Sequence, residues 1–235
     1  METAQNIEYD YSFIDKKVEK IIKSACIIIK TESKENITNW ILKAYNYAKS
    51  AHSGQFRLSG EAYINHPVEA SLILLDLNPD LHTIQACLLH DVIEDTDFNY
   101  DDIKNEFWLD VANLCAWMEK VSKVKYKWEE RTISSLRKMF VAMSEDLRVI
   151  FIKLSDRLHN MTTLKHHPKK EKRERKALET LNIYAPIADR LWLHSFKNRL
   201  DEECFKILNE TDFKNIKKQL TDSKQTVKSF KESAK

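Results

Sequence analysis

From Ile37 onward, apolar residues recur at intervals of three and four. Ile37, Trp40, Ile41, Ala44, Tyr45, Ala48 and Ala51 share one face of a helix that stops at His52-Ser53-Gly54. Upstream, Phe13, Val18, Ile21, Ile22 and Ile27 to Ile29 predict one or two helices, and the polar stretch 30–36 reads as a connection. Val68, Ala70, Ile73, Leu74 and Leu77 predict a helix capped by Asn65 or His66, with Pro67 at its first position. Leu81, Ile84, Ala86, Cys87, Leu88 and Leu89 form a heavily apolar helix that runs on through His90-Asp91-Val92-Ile93-Glu94-Asp95. It stops near Thr96, and Asn99 to Asp102 can cap the next helix, which carries Ile103, Phe107, Val111, Leu114 and Cys115. Leu136, Met139, Phe140 and Met143 mark another. Val149 to Ile152 and Leu154 are apolar nearly all round, the pattern of a central buried helix. Ala177 to Ala188, interrupted by Pro186, then Leu191 to Leu208, and a lysine-rich, weakly amphipathic stretch from Phe213 complete the pattern.

Composition sharpens this into a fold class. Only two glycines and four prolines occur among 235 residues, too few for the turns of a β or α/β protein. The chain is expected to be all-α, with roughly ten helices. The pattern divides into a helical N-terminal extension (1–35), a main domain (36–212) and a lysine-rich helical tail or connector (213–235). A net charge of +2, with basic residues interleaved among acids, argues against a nucleic-acid partner. No run approaches the ~18–20 apolar residues that span a bilayer, and the N-terminus lacks the regions of a signal peptide. Cys26, Cys87, Cys115 and Cys204 are scattered and read as reduced thiols. A cytoplasmic protein without a membrane partner is therefore expected.

Three features carry candidate chemistry. Both glycines, Gly54 and Gly60, lie in one loop around Arg57, where the backbone needs a positive φ or a close approach to a ligand. On a helix, His90 and Glu94 share one face and Asp91 and Asp95 the next, a crowd of carboxylates that a divalent ion would neutralise. Asp156 continues an apolar run, where a carboxylate is costly unless it is paired or bound to metal, and Asn160 and Thr163 extend a polar stripe from it. Together His66, His90, Asp91 and Asp156 suggest one site for a Mn- or Fe-type ion.

The order His, His-Asp, Asp resembles the HD-domain metal phosphohydrolases. Longer strings resemble the hydrolase domain of the RelA/SpoT stringent-response family over roughly residues 37–212. They are His52-x-Gly-Gln-x-Arg-x-Ser-Gly-Glu-x-Tyr-Ile-x-His-Pro, Leu-Leu-His-Asp-Val-Ile-Glu-Asp-Thr from Leu88, Arg137-Lys-Met, Ile152-Lys-Leu-x-Asp-Arg-Leu-His-Asn-Met and Glu179-Thr-Leu-x-Ile-Tyr-Ala-Pro. The resemblance implies an HD-domain helical bundle, a Mn2+ ion, and hydrolysis of the 3′-pyrophosphate of guanosine tetra- or pentaphosphate to GDP or GTP and pyrophosphate. It implies metal ligation by His66, His90, Asp91 and Asp156, and a catalytic role on water for Glu94 and Asp95. Substrate contacts would come from Arg57 against the base, Ser59 beside it, Asn160 and Thr163 along the nucleoside, and Lys123 and Arg175 at phosphates.

The chain departs from the family at Leu58, where a base-contacting lysine is usual, and at Glu119-Lys120-Val121-Ser122-Lys123 in place of Asp-Gly-Val-Thr-Lys. Thr162 replaces an arginine, and Asp189 and Trp192 replace the histidine and glycine of Ala-His-Arg-Leu-Gly. Leu58 keeps adenine alarmones or NADPH open as substrates of the same site. A third reading is a degenerate domain that binds nucleotide without turnover. No synthetase motif is present, so the resemblance fits a stand-alone small hydrolase or a fragment of a longer protein.

Overall fold

The structure, a computed structural model, describes residues 9–122, 141 and 145–233. Among these the regular elements are helical, apart from an isolated β-bridge between Phe56 and Ala62. This is the all-α class that the scarcity of glycine implies. The described residues fall into two compact units, Met1–His166 and His167–Lys235. The hydrophobic pattern suggests divisions after residues 35 and 212.

The first unit contains α1 (Ser12–Ile28), α2 (Lys34–Ala51), α3 (Asn65–Leu74), α4 (Leu81–Leu89), α5 (Val92–Asp95), α6 (Tyr100–Glu106), α7 (Leu109–Ser122) and α8 (Arg148–Thr163). α1 contributes Ile14, Val18, Ile21 and Ala25 to the core and packs on α2 and α3. α2 answers with Ile37, Ile41, Ala44 and Ala48 at the same alternation of four and three. It starts earlier than the polar stretch suggests, because the Ser33 hydroxyl accepts from the Asn36 amide at 3.1 Å and caps Lys34–Asn36 as a first helical turn.

α3 packs against α8 and α4, which brings the three sequence anomalies together. Pro67 is the third residue of α3 rather than the first, a place it tolerates because first-turn amides have no helical partner. Asp80 caps α4 by accepting from the Thr83 amide at 2.7 Å. The expected continuous helix through His90 to Asp95 is interrupted: α4 ends at Leu89, and α5 resumes at Val92. Asn99 and Asp102 form the reciprocal cap expected at the start of α6. α8 is buried on nearly every side from Val149 to Met161, as its pattern requires. The expected helix around Leu136–Met143 lies almost wholly outside the described residues, as does Lys123.

The second unit contains α9 (Lys170–Glu179), α10 (Ala185–Arg190), α11 (His194–Leu208) and α12 (Glu210–Ser233). Ala177, Ile183, Ile187, Phe196, Leu200 and Cys204 form its core. A widened π-type turn at Thr180–Tyr184 precedes Pro186. Proline has no amide hydrogen and its ring crowds the carbonyl four residues back, which a wider turn relieves. No helix among the described residues is long and apolar enough to cross a membrane.

Candidate metal centre

His66 leaves the first turn of α3, His90 and Asp91 occupy the break between α4 and α5, and Asp156 lies midway along α8. His66 Nε2 is 3.2 Å from Asp156 Oδ1 and 3.5 Å from Asp91 Oδ2. His90 Nε2 is 3.1 Å from Asp91 Oδ1 and 3.9 Å from Asp156 Oδ1. One ligand atom each from His66, His90 and Asp156 lies within 4.8 Å of the other two. Adjacent side chains on a regular helix diverge by about 100°. His90 and Asp91 keep right-handed helical dihedrals where α4 ends, and their side chains nevertheless meet, His90 Nε2 against Asp91 Oδ1.

The donor set fits a divalent ion. His90 donates its Nδ1–H to the Cys87 carbonyl at 2.8 Å, which leaves the Nε2 lone pair free. That Nε2 is buried and makes no hydrogen bond. An unsatisfied buried nitrogen costs about 1–3 kcal/mol, a cost that coordination to a cation removes. Two imidazoles beside two carboxylates are ligands for Mn, Fe or Zn rather than for an all-oxygen ion.

Residues behind the candidate ligands fix their charge and orientation. Burial alone would raise the Asp156 carboxyl, but the Lys153 ammonium 2.9 Å from Oδ2, followed by the hydrogen bond with His66, holds it well below the usual carboxylate range. Asn160 also donates to Asp156 Oδ1. Burial lowers His66, outweighing both nearby carboxylates. Its Nδ1 lies 2.6 Å from Nδ1 of His159, which is itself held down at about 3 by burial first and then by His66 and Arg57.

Tyr63 joins the candidate ligand Asp91 to the Asp95 carboxylate. Its hydroxyl is 2.8 Å from Asp91 Oδ2 and 2.6 Å from Asp95 Oδ2, so one proton serves two acceptors. Burial, together with Asp91, pushes the phenol well above its ordinary value. The ring stacks on His52 at 4.5 Å, and Gln55 links His52 Nδ1 (2.8 Å) to the Asp95 carbonyl (3.0 Å).

Gln55 belongs to the glycine loop. Gly54 and Gly60 adopt φ of +76° and +84°, and a Cβ at either would meet open space. Backbone conformation, not close packing within the protein, is therefore what requires glycine there. The loop carries Arg57, whose Nη2 donates to Asn160 Oδ1 at 2.7 Å and whose guanidinium lies 5.7 Å from the Tyr63 ring centre. The Ser59 hydroxyl is buried without a hydrogen-bond partner, and Leu58 is 70% exposed.

Of the residues singled out in the sequence, His66, His90, Asp91, Asp156, Asp95, Arg57 and Asn160 thus share one connected site. Glu94 stands exposed on α5. The Thr163 hydroxyl turns back onto its own helix, 3.3 Å from the His159 and Asn160 carbonyls. Arg175 is exposed on α9, in the second unit. Tyr63, Lys153 and His159 were not assigned roles from sequence. Lys153 and His159 stand three residues either side of Asp156, the helical spacing that would have placed them beside it.

Residues 44–193 match the HD domain family. The chain belongs to that family. Over 190 residues, 81% of its length, this HD domain is 42% identical to the guanosine-3′,5′-bis(diphosphate) 3′-pyrophosphohydrolase of Aquifex aeolicus. Over 191 residues it is 44% identical to the bifunctional (p)ppGpp synthase/hydrolase SpoT of Escherichia coli. The chain spans about a quarter of either relative, 27% in each case. The solved structure of a metazoan ortholog of SpoT that hydrolyses ppGpp superposes with a TM-score of 0.55 at 24% identity, covering 73% of this chain and 95% of that one. The likeness establishes the HD-type helical fold.

Proposed function

We propose that this HD domain hydrolyses the 3′-pyrophosphate of guanosine tetra- and pentaphosphate, releasing pyrophosphate and GDP or GTP, with Mn2+ as its ion. The convergence of His66, His90, Asp91 and Asp156 beside Asp95 and Arg57 carries this reading. The named activities of the 42–44% identical relatives support it.

The four ligands would hold the ion through the two Nε2 atoms and one oxygen of each carboxylate. When bound, a divalent cation supplies charge neutralisation at phosphate and a lowered pKa for water. The protein supplies the rest. Asp95, tied to Asp91 through Tyr63, would take the proton of the attacking water, with Glu94, one residue before it, as the second carboxylate of the pair. Tyr63 holds Asp95 against Asp91, so the base and the metal-binding carboxylate keep a fixed separation. The water oxygen would bond to the phosphorus that carries ribose O3′ while the O3′–phosphorus bond breaks, so that pyrophosphate leaves intact and O3′ becomes a hydroxyl with the proton taken from the water by Asp95. Arg57, fixed by Asn160, presents a planar cation at the glycine loop, suited to stacking on a purine. Ser59 offers a hydroxyl in the same loop, and Asn160 is proposed to line the nucleoside pocket together with Thr163, whose hydroxyl would have to turn from the carbonyls of its own helix. Lys123 and Arg175 are proposed phosphate contacts on the strength of the family pattern alone. A nucleotide is the expected partner, with neither nucleic acid nor membrane, in the cytoplasm.

A second reading keeps the chemistry and changes the base. Leu58 is an exposed apolar side chain beside Arg57, and it offers no donor to a guanine carbonyl. Adenine alarmones or NADPH then become substrates.

One assay tests both. Pyrophosphate release is followed from guanosine tetraphosphate and from adenine alarmones, and phosphate release from NADPH, each with Mn2+, in wild type and in Asp91→Ala. Turnover of guanosine tetraphosphate that is lost in Asp91→Ala supports the first reading. Preference for an adenine nucleotide selects the second. A catalytically silent wild type leaves only a nucleotide-binding domain, and activity that survives Asp91→Ala removes the site from consideration.

A further inference from the structure

α8 addresses both nitrogens of one imidazole. Asp156 lies 3.2 Å from His66 Nε2, and His159, three residues on, places its Nδ1 2.6 Å from His66 Nδ1. Residues three apart on a helix share a face, so this double grip follows from the register of α8. Between two ring nitrogens at that distance there is room for one proton. Whichever ring carries it, the other must present a lone pair.

A cation seated among His66, His90, Asp91 and Asp156 needs the Nε2 lone pair of His66. The proton of a neutral imidazole must then sit on Nδ1, where a ligating histidine ordinarily finds a carboxylate, a backbone carbonyl or water. His90 follows the ordinary form, with the Cys87 carbonyl as its acceptor. His66 does not. His159 occupies that place, its side chain buried and the rings 4.9 Å apart at an interplanar angle of 32°. With no cation present, the Asp156 oxygen can instead accept from Nε2–H of His66, with His159 donating to Nδ1. The pair therefore has two hydrogen-bonded arrangements, and only one of them presents a lone pair to an ion.

We propose that His159 is a positioning residue of the metal centre: by accepting the Nδ1–H of His66, it selects the tautomer in which His66 binds a divalent cation. This rests on the metal-centre reading above and extends it to a residue that touches neither ion nor substrate. Any acceptor placed at the His159 Nδ1 position serves the purpose. The Oδ1 atom of asparagine falls close to that position, whereas leucine fills the volume and accepts nothing.

The test is Mn2+ alone, titrated calorimetrically into metal-free wild type, His159→Leu and His159→Asn, with urea unfolding of each metal-free protein alongside. His159→Leu is expected to bind Mn2+ about 10–100-fold more weakly, the usual effect of removing an outer partner. His159→Asn is expected to recover most of that loss, although it packs less well than leucine. Three results overturn the proposal: wild-type affinity in His159→Leu, equal losses in both variants, or affinities that follow unfolding stability instead of the presence of an acceptor. A wild type that binds no Mn2+ removes the metal centre and this proposal with it. Tight metal binding without nucleotide turnover removes only the proposed activity.

Discussion

The Tyr63 hydroxyl stands 2.6 Å from an Asp95 carboxylate oxygen across 32 residues of sequence. The same hydroxyl reaches Asp91 at 2.8 Å. Tyr63→Phe keeps the ring stacked on His52 and removes only the donor. Hydrogen bonds to charged groups contribute about 1.5–3 kcal/mol, so urea unfolding should show a loss of about that size, and kcat for the proposed pyrophosphate release should fall as Asp95 loses its fixed place beside Asp91. Unchanged kcat would show that Asp95 needs no support from Tyr63.

Ile21 lies at the centre of α1 with no exposed surface. Ile21→Ala should lower stability by about 2–5 kcal/mol, measured by urea unfolding. A loss under 1 kcal/mol would mean that α1 is an appendage to the bundle, as its polar connection to α2 first suggests.

Buried histidines make the metal-free protein sensitive to acid. His159 is depressed from 6.5 to about 3, and His66 and His52 are lowered in the same direction, each chiefly by burial. In the unfolded chain these rings take up protons as pH falls through about 6.5, while the folded protein resists until far lower. The unfolded state then binds more protons, so stability declines on acidification at up to about 1.4 kcal/mol per pH unit for each such ring. Urea unfolding in EDTA at pH 7.5, 6.5 and 5.5 should show stability flat above 6.5 and falling below it. Constant stability down to pH 5 would contradict the burial of neutral imidazoles.

Trp192 holds a φ of +60° and is 80% exposed. The left-handed conformation costs a residue with a side chain about 1–2 kcal/mol, and glycine very little. Trp192→Gly should therefore stabilise the protein by up to about 1 kcal/mol after glycine's greater freedom in the unfolded chain is counted. Destabilisation would show that the indole makes contacts worth more than the strain it imposes.

The sequence by itself determined the fold class and the chemical types at the site. Two glycines in 235 residues ruled for helices, and the nearly all-round apolar pattern of Val149 to Leu154 located the buried helix that α8 became. His66, His90, Asp91 and Asp156 stood out because acids and imidazoles in apolar helices are costly without a partner. Periodicity, however, reports which face of an element is buried and says nothing of what lies opposite. It extended one helix through His90 to Asp95, whereas α4 ends at Leu89 and α5 begins at Val92. It left open what covers α1, which buries Ile14, Val18 and Ile21. The reach of Tyr63 to Asp91 and of His159 to His66 was hidden for the same reason. Each acts on a residue 28 to 93 positions away, and only the packing of α3 against α4 and α8 brings them within a hydrogen bond.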